Sequence, residues 1–226
     1  RVSAELLQRD PRNIWLARAP RFRLPAELIR DQALSIAGLL ANNMGGPAVY
    51  PPQPDGIWRH VGRNAPKYNT SRGADRFRRG VYVVWRRSAP YPSFTSFDAP
   101  DRTSCTVRRS VTNTPLQALT LLNDPAYAEI ALALAKRIVR EAASVSLEKQ
   151  LEYGFRLCLT RLPEPREVAY LVELFQTQRQ RFITEPGRAR DLLGGRNLSP
   201  AATAELAAWF YVANVLLNLD ELITKG

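Results

Sequence analysis

Histidine, cysteine and methionine are nearly absent from this chain: one His, two Cys and one Met among 226 residues. Each scarcity removes a chemistry. With His60 as the single imidazole, a histidine-rich zinc or copper site is excluded, and Cys105 and Cys158 do not form a metal-ligand spacing. No CxxCH occurs, so no c-type haem is attached within this chain and no cofactor or metal is expected in it. There is no G-x-S-x-G elbow, and Gly45-Gly46 and Gly194-Gly195 lack the strand–glycine–helix context of a phosphate-binding loop. A Cys105 nucleophile with His60 as its base is supported by residue type alone. No uninterrupted apolar run approaches the roughly 18–20 residues of a membrane span, since Lys136, Arg137 and Arg140 break the most apolar stretch. A bond between the two cysteines suits an oxidising compartment, yet their loop and helix settings show no disulfide framework, so none is expected.

Lysine is scarce as well, with four against 28 arginines. The net charge of +11 is uneven: residues 1–112 hold 19 Lys+Arg against 8 Asp+Glu, whereas residues 113–226 hold 13 of each. Arginine offers planar, bidentate donors to carboxylates, phosphates and sulfates, and it stacks on aromatic rings. Two roles are open to so many: tying loops to backbone carbonyls and internal carboxylates, or meeting an acidic partner.

Along the chain, a short helix near Ala4 gives way to a turn at Asp10-Pro11. Pro25 opens a helix whose stripe Ile29, Ala33, Ile36, Ala37 and Leu40 faces a core, with Glu27, Arg30 and Asp31 on its flank, and which ends at Gly45-Gly46-Pro47. Residues 45–74 are irregular. Val81–Trp85 (VYVVW) is the strand candidate, buried on both faces. Residues 88–100 read as extended, because three prolines forbid a central strand. Helices follow at about Pro115–Leu122, Pro125–Ala143, Leu147–Thr160, Pro165–Phe182 and Pro200–Leu222, four of the five opened by proline at the first helical position. The expected fold is mainly α: one irregular helical domain with a short β element and long arginine-rich loops, closing in an antiparallel helical bundle. Residues 1–113 would form a basic loop layer and residues 114–226 the helical core.

The segment Phe97–Pro125, FDAPDRTSCTVRRSVTNTPLQALTLLNDP, concentrates the candidate site residues. Thr114, Pro115 and Gln117 spell a capping box, and Asp124-Pro125 repeats the device. Arg86, Arg87, Arg102, Arg108 and Arg109 are expected to form one basic network around it, with Asp98 and Asp101 as internal partners. Asn113 and Thr114 mark the preferred ligand-facing point, since helix starts attract anions. Asp98 with Asp101, or Glu27 with Asp31, are the weak candidates for catalytic acid and base. Ion pairing of these carboxylates with the arginines explains the same residues more simply.

Phe97–Pro125 resembles a C-terminal, planctomycete-specific domain of unknown function found in large proteins that also carry cytochrome-c-like modules. Further blocks resemble it in the same order: RFRLPAELIRDQALSIAGLL, MGGPAVYPPQPDGIW, RRGVYVVWRRSAPYPSFTSFDAP and AELAAWFYVANVLLNLDELITKG. The resemblance implies an extracytoplasmic (periplasmic or secreted) multidomain parent, with c-type haem elsewhere in it. The start at Arg1 then reads as a fragment's start. Three functions follow as expectations. The first is an accessory domain docking to upstream domains, a cytochrome-like redox partner or an acidic polysaccharide. The second is a carbohydrate-active enzyme domain using the carboxylates named above, although no catalytic motif is present. The third is nucleic-acid binding, prompted by the pI of about 10.2 but with no supporting motif.

Overall fold

The computed structural model describes residues 3–19, 21–61, 67–195 and 198–225. The fold is mainly α: α1 (Ala4–Arg9), α2 (Ala26–Ile36), α3 (Pro92–Ser96), α4 (Pro115–Asn123), α5 (Pro125–Glu141), α6 (Leu147–Leu159), α7 (Pro165–Thr184), α8 (Pro186–Leu192), α9 (Pro200–Leu217) and α10 (Asp220–Ile223). Two short strands, β1 (Phe22–Arg23) and β2 (Thr224–Lys225), pair antiparallel with Phe22 opposite Lys225.

Local chemistry sets the helix starts. Asp124 accepts from the Ala126 N–H at 2.9 Å, and Ser146 and Ser199 cap α6 and α9. Thr114 and Glu164 form capping boxes with Gln117 and Glu167. Helix α9 sits at the centre, against α4, α5, α6, α7 and α8. By length and composition it could cross a membrane, but Trp209, Ala213 and Leu216 on it are wholly buried, which makes it a core helix here. Gly154 lets α6 approach α5, since a Cβ there would lie 2.7 Å from Ile138 Cδ1. One buried apolar cluster joins α2 and α3 to α5, α6, α7 and α9, so the loop layer and the helices share a core.

Four local expectations are corrected. Residues 81–85 form no strand: Gly80–Tyr82 is a 3-10 turn, Val81 is exposed, and only a single bridge joins Val83 to Val49. The turn is fixed from below by Asp31, whose Oδ1 accepts from the Gly80 N–H at 2.6 Å. Residues 92–96 are helical, because Pro92 occupies a first-turn position where proline needs no N–H partner. Helix α2 stops at Ile36, with Gly38 at φ 73°, well before Gly45. The last predicted helix breaks at Asn218–Leu219, where extended Leu219 redirects the chain towards β1. Helix α8 was not anticipated.

Arginines organise the loop layer. Arg30 is not on a flank but buried, donating to the carbonyls of Arg78 (2.6 Å) and Arg76 (2.7 Å). Arg78, also buried, donates to the carbonyls of Pro47 (3.1 Å) and Gly45 and lies 4.0 Å from the Tyr82 ring centroid. Arg137 on α5 donates to Ile36 O at 2.7 Å, beyond the C-terminal end of α2. Backbone acceptors that a sheet would have satisfied are met by guanidinium forks.

Candidate functional site

Sixteen consecutive residues, Asp101 to Leu116, are exposed. They have no regular structure until Pro115, so side-chain bonds hold their path. Asp98 accepts from the Thr112 N–H at 2.7 Å and from its hydroxyl at 2.9 Å. Asp101 accepts from the N–H and hydroxyl of Thr103, both at 2.9 Å, which holds its carboxyl below the usual range, helped by the nearby charge of Arg87. Asp98 and Arg102 adopt left-handed backbone (φ 59° and 63°), a costly conformation for non-glycine residues that these clamps maintain.

Of the five arginines named from the sequence, Arg102, Arg108 and Arg109 line two neighbouring hollows. Arg108 and Arg109 line a hollow of about 270 Å³ with Asp98 and Asp101. Arg102 and Arg109 line its neighbour of about 530 Å³, which also holds Cys105. The carboxylate that pairs with this cluster comes from α2: Arg109 makes a bidentate contact to Glu27 at 2.7 and 3.1 Å. Burial opposes the charged form of Glu27, but the bonds and charge of Arg109 outweigh it and leave its pKa below the ordinary value. Asp98 and Asp101 bond threonines; among the described residues neither is ion-paired to an arginine.

Arg86 and Arg87 line neither hollow, although the charge of Arg87 reaches Asp101. Arg86 lies 5.2 Å from the Trp58 ring centroid and Arg87 is exposed. Trp85 donates to Asp101 O at 3.3 Å and carries the Arg102 guanidinium 4.9 Å from its ring centroid. Asp31 is tied to Gly80 and, at 3.4 Å, to Arg79. Each of the four candidate acid–base carboxylates therefore has a structural partner. Cys105 is an exposed free thiol and Cys158 a buried one. The side chain of His60, the base that Cys105 would need, lies outside the described residues. Among the described residues no cluster of three His, Cys, Asp or Glu could hold a metal.

Asn113 and Thr114 belong to a different concavity, a cleft of about 560 Å³ between the start of α4 and the β1–β2 pair. Arg23 is its floor. The side chain is nine-tenths buried, and Nη1 donates to Gln117 Oε1 at 2.5 Å. Gln117, itself buried, passes the contact on by donating to Ser96 O and to the Thr112 hydroxyl, both at 3.0 Å. On the far wall Asp220 takes Arg21 at 2.7 Å and Thr224 at 3.1 Å, leaving Arg23 at 3.6 Å. The capping box at Thr114 marked this place in the sequence. Arg21, Phe22, Arg23, Asn218 and Asp220 were missed, because their role depends on a pairing between opposite ends of the chain.

A model of one protein family, described as PSD1: Protein of unknown function (DUF1553), matches residues 1–175. The chain belongs to this family. No curated protein and no solved structure matches it. The part matched to the family holds the exposed segment, the arginine-stapled layer, β1 and the start of α4, whereas Asn218, Asp220, Ile223 and Thr224, the cleft's far wall, lie beyond it.

Proposed function

We propose that this member of the family is an accessory interaction domain that docks on an acidic protein surface through residues 101–116. The observation that carries the reading is an exposed segment, braced at both ends, that keeps cationic charge unspent. Arg108 has no carboxylate partner among the described residues, Arg102 is stacked but not ion-paired, and Arg109 alone is neutralised. Val107 and Val111 stand fully and largely exposed between them, as an interface with an apolar centre and a charged rim requires. The compartment proposed is extracytoplasmic and the proposed partner is an acidic neighbouring domain, both on the strength of the resemblance. An enzymatic reading is less well supported, because all four candidate carboxylates are occupied in bracing.

The test uses poly-L-glutamate and duplex DNA as probes, against the wild-type chain and the double variant Arg102→Glu/Arg108→Glu. Poly-L-glutamate should bind, weaken with salt, and lose about tenfold or more in the variant while thermal stability is kept. Equal binding by the variant would refute docking through this segment. Stronger retention of DNA, with a steep salt slope through the same arginines, would favour nucleic acid instead.

A further inference from the structure

We infer that the cleft floored by Arg23 binds a uronate residue of an acidic glycan. The argument starts from an imbalance. Arg23 carries five N–H donors at a nine-tenths buried position, yet donates one hydrogen bond, to Gln117. Its nearest carboxylate, Asp220, is 3.6 Å away and already held at 2.7 Å by Arg21. A guanidinium buried to this extent is ordinarily matched by acceptors. The cleft that Arg23 lines is open to solvent and large enough for a small ligand. A ligand carboxylate would supply the bidentate acceptor that the fork lacks.

The other walls specify what bears that carboxylate. Asn113 and Asn218 line the cleft, and neither side-chain amide has a partner among the described residues. Each offers a donor and an acceptor, the pairing that hydroxyl groups need. Phe22 leaves about half of its surface exposed at the rim, a flat apolar face of the kind on which a sugar ring rests. A ring that bears both a carboxylate and hydroxyls would use the fork, the amides and the Phe22 face at once, and an acidic peptide is the alternative that the titrations separate. The cleft contains none of Arg102, Arg108 and Arg109, so this inference stands apart from the docking proposed above.

The experiment is calorimetric titration of the chain with trigalacturonate, its methyl ester and hexaglutamate. Trigalacturonate should bind, the ester should bind at least about tenfold more weakly, and Phe22→Ala and Asn218→Ala should each weaken the acid by about tenfold. Arg23→Lys keeps the charge and removes the fork, so it should abolish the preference for acid over ester. Should that variant fail to fold for want of the Gln117 contact, Phe22→Ala and Asn218→Ala carry the decision. The titrations are made in the Arg102→Glu/Arg108→Glu background, which disables the docking segment proposed above and leaves the cleft intact. The inference is overturned by an absence of trigalacturonate binding in that background at about 10 mM, by equal binding of the ester, or by hexaglutamate binding there as well as the sugar. It is equally overturned if both single alanine variants bind as the wild type does.

Discussion

Replacing Asp124 by Asn should stabilise the protein at neutral and alkaline pH and do nothing in acid. Asp124 is buried at the junction of α4 and α5. Burial raises its pKa from the usual 3.8 to about 6, although the N–H groups of Ala126 and Tyr127 and the charge of Arg30 pull the other way. The folded state therefore holds the proton more tightly than the unfolded chain does. The contribution of this proton is fully present below pH 3.8, declines as pH rises, and is lost above about 6. At 1.36 kcal/mol per pKa unit, the difference between 3.8 and about 6 amounts to about 3 kcal/mol against folding at pH 8. Asparagine keeps the oxygen that accepts from Ala126 N, so the cap survives with only a few tenths of a kcal/mol at risk. Urea denaturation of both proteins from pH 4 to pH 8, followed by circular dichroism, isolates this residue, because every other titration cancels in the difference. The variant should gain about 2–3 kcal/mol at pH 8 and converge with the wild type at pH 4. A variant that is less stable by the same amount at every pH would refute the reasoning. It would show that the carboxylate's cap bonds and Arg30 outweigh its burial.

Leu216→Ala removes a wholly buried side chain from α9 and should cost about 2–5 kcal/mol in the same denaturation assay. Gly80→Ala places a Cβ 2.9 Å from Glu27 Cα and Cβ on α2, so the turn must shift, at a cost of about 1–3 kcal/mol and with a lowered melting temperature. A thiol reagent should modify Cys105 in the native protein at once. Cys158, buried and with its thiol pushed up to about 12 by that burial, should react only on unfolding, and mass spectrometry of peptides separates the two.

Helix starts were the most legible part of this fold, because a cap and a first-turn proline act within three residues of each other. Thr114, Asp124 and Pro200 are read correctly without knowledge of anything distant. Val81–Trp85 failed for the opposite reason. β-Branched residues suit a pleated surface, but whether a neighbour lies alongside is decided by Asp31 beneath Gly80 and by Val49, from elsewhere in the chain. Arg30 was misplaced because the carbonyls that bury it belong to residues 76 and 78, in a stretch with no periodicity to announce them. For the candidate site, the segment was legible, and so was an ion pair between Glu27 and one of its arginines, which is Arg109. What the spacing did not show is that Asp98 and Asp101, expected as the internal partners of the arginines, bond Thr112 and Thr103 instead.

The pairing of β1 with β2 has a consequence for how the protein is made. Phe22 leaves the ribosome some two hundred residues ahead of its partner, Lys225. At about 5–20 residues per second, roughly 10–40 s separate the two. During that interval α2 can form and bury its apolar face, while Arg23 and Gln117 must wait for Asp220 and Thr224 to close the cleft over them. Within this fold the ligand-sized cleft is thus assembled later than the arginine-stapled layer. A nascent chain or a C-terminally clipped one would hold the arginine-stapled layer without it. Any activity seated in the cleft would be a report that translation had run through residue 225.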